Sequence, residues 1–109
     1  MLSKRARIEA YLPDKKDRAY RRLRAAIEGE FLFTFGGCTV IEEIQGLYLH
    51  SSKKPEQDKI TLVYADMPFA LEKHFKAVSK YADAIREAAT EALPEQSVLV
   101  VVHEVYHSL

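Results

Sequence analysis

Along residues 5–12 apolar and polar side chains alternate: Ala6, Ile8, Ala10 and Leu12 on one side, Arg5, Arg7, Glu9 and Tyr11 on the other. Period-2 alternation predicts a strand with one buried and one polar face. Pro13 stops it, and Asp14 is a suitable cap for a helix over 14–28 carrying the apolar residues Ala19, Tyr20, Leu23, Ala26 and Ile27. Gly29 stands where a left-handed cap would close that helix. The next stretch, with Phe31, Phe33 and Phe35 before Gly36-Gly37, reads as a connection whose aromatics pack under the helices. A second strand follows over 39–49, with Gly46 marking a bulge or a close backbone approach.

The same order then repeats. Ser51 to Asp58 is a polar loop, 59–66 a strand, 68–93 a helix and 97–106 a final strand. Asp66 and Pro68 mark the second helix start. Its apolar positions Leu71, Phe75, Val78, Ala82, Ile85, Ala89 and Ala92 advance by alternating steps of four and three, one helical face. Its length invites a break near Ser79. The order β-α-β-β-α-β predicts a ferredoxin-like α+β sandwich: a four-stranded antiparallel sheet with both helices on one face. All 109 residues fit a single domain, 1–109.

The last strand is apolar on both sides: Val98, Val100 and Val102 on one, Leu99, Val101 and Val105 on the other. A strand of that kind is covered on both faces, and two helices cover only one. A second copy is the simplest further cover, so the reading is a homo-oligomer, with a dimer the simplest form, or another protein partner.

Composition changes the picture little. There is no apolar run long enough to cross a bilayer and no apolar core behind the basic N-terminus, so no membrane association is expected. The single Cys38 cannot form an internal disulfide, which favours the cytoplasm. Formal charge is zero, but residues 1–24 hold nine Lys/Arg against three acids, and the remainder is correspondingly acidic. That asymmetry suits an anionic partner, yet it reads more simply as a solvated basic face on the first helix. Sequence-specific RNA binding on the sheet is not expected, because the third strand lacks the Gly/aromatic string that RNA-binding sheets of this fold use; nonspecific nucleic-acid binding through the basic first helix is the less favoured alternative.

Three stretches carry a resemblance. They are Gly37-Cys38-Thr39-Val40 with Gly46-Leu47-Tyr48, Lys59-Ile60-Thr61-Leu62-Val63, and Gln96-Ser97-Val98-Leu99-Val100-Val101. The chain resembles an uncharacterised bacterial family of unknown function with a ferredoxin-like fold. Glu95-Gln96 reverses that family's local order before the last strand. The resemblance implies the fold and brings no activity, cofactor or catalytic residue. Length and fold are also similar to those of PII-like signalling proteins, although the loop between strands two and three is shorter than their ligand loop and their signatures are missing.

His103-Glu104-Val105-Tyr106-His107 matches the zinc-protease pattern H-E-x-x-H. That chemistry needs both histidines one helical turn apart. In a strand they lie ~13 Å apart and cannot share an ion, so no metal and no other cofactor is assigned. Gly36-Gly37 lacks the phosphate-loop spacing. Cys38 has no base beside it in sequence and reads as a small buried residue.

The sheet face away from the helices is the candidate site. There Arg5, Arg7, Glu9 and Tyr11 neighbour one row of the last strand, either Glu104 and Tyr106 or His103 and His107, depending on which side is inward. Such a face suits a subunit interface with cross-strand ion pairs. It also suits a small polar or anionic ligand. A further alternative is a small enzyme using His103 or His107, Glu104 and Tyr11 as acid–base groups in a pocket at that face or at a subunit interface.

Overall fold

The computed structural model describes residues 1–49 and 53–109. Ser51 and Ser52, at the head of the expected polar loop, lie outside the described residues. The elements run β1 (Leu2–Pro13), α1 (Arg18–Phe35), β2 (Thr39–Leu49), β3 (Pro55–Asp66), a single 3-10 turn (Leu71–Lys73), α2 (Phe75–Ala92) and β4 (Leu99–Ser108). The strands form one antiparallel sheet in the order β2-β3-β1-β4. This is the ferredoxin-like arrangement expected from the alternating pattern.

The inward row of β1 makes the core. Ala6, Ile8, Ala10 and Leu12 are fully buried, against Tyr20, Leu23, Ile27 and Phe31 of α1 and Val78 and Ala89 of α2. Thr61 is buried among them, and its hydroxyl meets the Tyr20 hydroxyl at 2.7 Å. Among the described residues no buried side-chain polar atom lacks a partner. Val98, Val100 and Val102 pack on the same core, so this side of β4 faces the helices.

Helix α1 is shifted and longer than the sequence suggested. Asp17, not Asp14, caps it, accepting the Tyr20 N–H at 2.8 Å, while Asp14 takes the Lys16 N–H in the turn before it. The buried stripe Tyr20, Leu23, Ile27, Phe31 runs straight past Gly29 and carries the helix to Phe35. The alternating phenylalanines are therefore helical. Phe31 is buried against Phe35, and Phe35 meets the Tyr81 ring edge-on at 5.6 Å. The true cap is Gly36, at φ 85°, whose N–H bonds to the Leu32 carbonyl. That left-handed conformation favours glycine.

The second helix is broken, but at His74 rather than near Ser79. His74 follows the 3-10 turn, and its ring lies 4.2 Å from that of Phe69. Along the expected seam Val78 and Ala89 are buried, whereas Phe75 is exposed. β3 begins at Pro55, earlier than expected, and takes up the second half of the supposed loop. Gly46 does mark a close approach, since a Cβ there would stand 2.6 Å from Ile60 Cδ1. The bulge itself lies upstream, between Ile41 and Ile44, with Glu43 at φ 63°.

The two helix glycines give a crossed prediction. Gly29 has open space around its absent Cβ, so Gly29→Ala should stabilise the protein by about 0.5–1 kcal/mol. Gly36→Ala should cost about 1 kcal/mol, because φ is positive there. Urea denaturation of both variants checks the pair; the opposite ordering would place the helix end at Gly29.

Candidate functional site

Register settles which row of β4 joins β1 on the open face. Directly opposed residues of an antiparallel pair share a face. Arg7 opposes His103, Arg5 opposes Val105, Ser3 opposes His107, Glu9 opposes Val101 and Tyr11 opposes Leu99. His103 and His107 therefore stand with Arg5, Arg7, Glu9 and Tyr11. Glu104 opposes Ala6 and Tyr106 opposes Lys4, which puts both on the helix side. Glu104 and Tyr106 accordingly leave the open-face set. The acid–base trio of histidine, Glu104 and Tyr11 is split between the two faces of the sheet.

β3 supplies what sequence reading missed. Its row Ile60, Leu62, Tyr64 and Asp66 opposes Pro13, Tyr11, Glu9 and Arg7. Asp66, read beforehand only as a helix start, is the centre of the site. Arg7 donates to it through Nε at 2.6 Å and Nη2 at 2.9 Å, and His107 Nε2 lies 2.6 Å from Oδ2. The Arg7 guanidinium also lies 4.2 Å from the centre of the Tyr64 ring, a cation–π contact. The available signal was the period-2 row from Ile60, which ends on Asp66.

A second cluster adjoins the first. The Glu9 side chain is only 14% exposed and has His103 Nε2 at 3.3 Å. It also accepts the Tyr11 hydroxyl, at 3.3 Å. Arg5 lies on the same face and makes no ion pair among the described residues. Between and beyond these groups the face is apolar. Ile60 and Leu62 are buried, Val101 and Val105 half-buried, and Leu99 and Ile41 exposed.

The electrostatics follow from the contacts. Hydrogen bonding from Arg7 holds the Asp66 carboxyl below the usual carboxylate range; His107 adds to this and burial opposes it. The Arg7 guanidinium is raised in turn by its bond to Asp66. Burial pushes the Tyr11 phenol up, and the Glu9 charge adds to it, so Tyr11 remains a donor at neutral pH. These groups are hydrogen-bonded or paired with one another.

Clefts flank the network at both ends of the sheet. Tyr11, Pro13, Tyr48, Ile60 and Leu99 line one of about 300 Å³. Gly36, Gly37, Cys38, Tyr64 and Asp66 line an open depression of about 390 Å³ at the other. Burial first, and then Glu28, raise the Cys38 thiol, the opposite of what a nucleophile needs. The H-E-x-x-H residues lie in β4, where the two histidines meet different carboxylates. Among the described residues no group of three or more His, Cys, Asp or Glu is placed to hold a metal.

Part of the basic N-terminal third is tied down locally. Arg24 bonds Glu28 at 2.8 Å and reaches Glu42 at 3.3 Å, Lys15 pairs with Asp58, and Arg21 donates to the Lys16 carbonyl. Among the described residues no helix is long and apolar enough to cross a membrane.

No family model matches the sequence, and no curated protein matches it. Solved structures match the fold. The PII-like nitrogen regulatory protein CPII from Thiomonas intermedia K12, bound to ADP, AMP and bicarbonate, aligns over 100% of this chain and 98% of its own, with a TM-score of 0.55 and 14% identity. The divalent cation tolerance protein Cut A1 from Thermus thermophilus aligns over 93% of this chain and 82% of its own, with a TM-score of 0.55 and 11% identity. The B. subtilis GlnK–ATP complex aligns over 94% and 82%, with a TM-score of 0.54 and 14% identity. At such identities the likeness establishes the fold alone. It is the ferredoxin-like fold of PII-like and CutA1 structures, in agreement with the fold implied by the sequence resemblances.

Asp66 gives the site a pH signature. A carboxyl depressed on folding stabilises above its ordinary value, and that stability is lost as pH falls through the folded value. The protein should therefore lose stability below about pH 4. Asp66→Asn should be less stable at neutral pH by about 1–2 kcal/mol and lose less on acidification. Urea midpoints measured against pH test this; parallel curves for the two proteins would refute the role given to Asp66.

Proposed function

We propose that this chain is a self-associating ligand-binding or assembly module whose copies meet through the sheet face opposite the helices. One observation carries the reading. In the outward row of β4, Leu99, Val101 and Val105 alternate with His103 and His107 as its apolar members, and no helix or strand of the described chain packs over that row. Ile41 continues the apolar surface on β2, where it is 43% exposed. An uncovered apolar face interrupted by paired charges is the composition of an interface. The likeness to PII-like and CutA1 folds is compatible with such a module. A dimer is the simplest closed form. A cytoplasmic location belongs to the same proposal, with the single Cys38 as its support.

Size-exclusion chromatography with light scattering tests it. Wild type should elute at a multiple of the chain mass. Val101→Asp puts a charge at the centre of the face and should weaken association at least about tenfold, or roughly 1.4 kcal/mol. Unchanged circular dichroism would show that this variant folds. A wild-type monomer at high micromolar concentration would overturn the proposal.

The free guanidinium of Arg5 favours a second reading, a small anion held at the same face. Among the proteins with this fold, CPII was solved with ADP, AMP and bicarbonate and GlnK with ATP. At a hundredfold excess over Kd, a ligand of the folded state adds about 2.7 kcal/mol. Thermal unfolding with each of these four compounds should therefore show at least one clear rise in midpoint, and Arg5→Ala should abolish it. No rise with any of them would remove this reading.

A further inference from the structure

The hairpin of β2 and β3 runs on past the rest of the sheet. β1 pairs with β3 only as far as Pro13 opposite Ile60, whereas β2 and β3 continue pairing from Gln45–Lys59 to Leu49–Pro55. This two-stranded arm stretches the molecule to 47 Å along one axis against 27 and 25 Å along the others. The radius of gyration is 14.9 Å, above the ~13 Å expected for a compact chain of this size. Two strands alone are marginally stable in water; a third strand or a packed layer is needed. Yet Leu47, Tyr48 and Leu49 on the arm are 68%, 46% and 72% exposed.

The two edges of the sheet differ. Beside the bulge, the inner half of β2 carries Glu42 and Glu43, and Arg24 reaches across from α1 to Glu42. Bulges and charges of this kind discourage strand addition. β4 has no such guard. It pairs with β1 without interruption from Leu2–Ser108 to Tyr11–Leu99 and contains no proline, glycine or lysine. Its one Asp, Glu, Lys or Arg is Glu104, which makes no ion pair among the described residues. The arm, for its part, ends on exposed Lys53 and Lys54.

We propose that the outer half of β2, Gln45–Leu49, adds as a strand to the β4 edge of a second copy of this chain. The inference rests on the self-association reading and specifies its second contact. The arm gains a third strand, the β4 edge gains partners for its free N–H and C=O groups, and the basic arm tip complements the carboxylate on β4. The joined sheets are continuous with the open face, so edge pairing and face packing belong to one interface. The contact is between unlike surfaces, so it closes by reciprocal exchange between two copies or around a ring.

Amide hydrogen exchange on the wild-type protein is the test. In the assembled state, amides of Leu99–Ser108 and of Gln45–Leu49 should exchange at least about tenfold more slowly than after dilution to monomer. The double variant Leu47→Asp, Leu49→Asp changes only exposed side chains. It should keep its circular dichroism, lose the β4 protection and lower the assembled mass. A wild-type protein that assembles while both segments exchange freely, or a double variant with unchanged mass and protection, would overturn the arm contact and leave self-association standing. A wild-type monomer would overturn both.

Discussion

Strand β1 is the constraint on which the rest of the structure depends. It is paired on both sides, with β3 and with β4, so its pleat sets the facing of most of the sheet. Its inward row is fully buried under the helices. Its outward row carries Arg7, Glu9 and Tyr11, each bonded to a neighbour on that face. A slip of one residue would put Arg7 and Glu9 into the core and Ile8 and Ala10 into water, so burial on one face enforces the polar network on the other.

That network has a consequence for what the face can do. Asp66 is balanced by Arg7 with His107 beside it, and Glu9 meets His103 and the Tyr11 hydroxyl. An unpaired charge is costly to take out of water; a charge already paired and hydrogen-bonded is far less so. The face can therefore be covered without stranding its carboxylates. A face whose carboxylates are paired and whose remainder is partly apolar is suited to contact.

How much of this was legible beforehand varies by element. Alternation in β1 was unambiguous because both rows are pure, and the limits of β2 were found from its flanking Gly36-Gly37 and polar loop. The end of α1 was misread because Gly29 is a glycine of the right kind in a permissive place. The stripe through Ile27 and Phe31 outweighs it, and the left-handed φ belongs to Gly36. For β4 the sequence left two faces open, since valines lie on both; only the register of Arg7 with His103 decides. Asp66 was invisible as a site residue because its partners, Arg7 and His107, are 59 and 41 positions away. A contact of that span is set by sheet order, which no local pattern reports.

If copies meet as proposed, the open sheet face is covered in solution. Hydroxyl-radical footprinting of the intact protein across a wide range of concentration addresses it residue by residue. Leu99 and His103 should become protected as concentration rises, while Phe33, which is 89% exposed on α1, should react equally throughout. Equal reactivity of Leu99 and His103 at every concentration would contradict it.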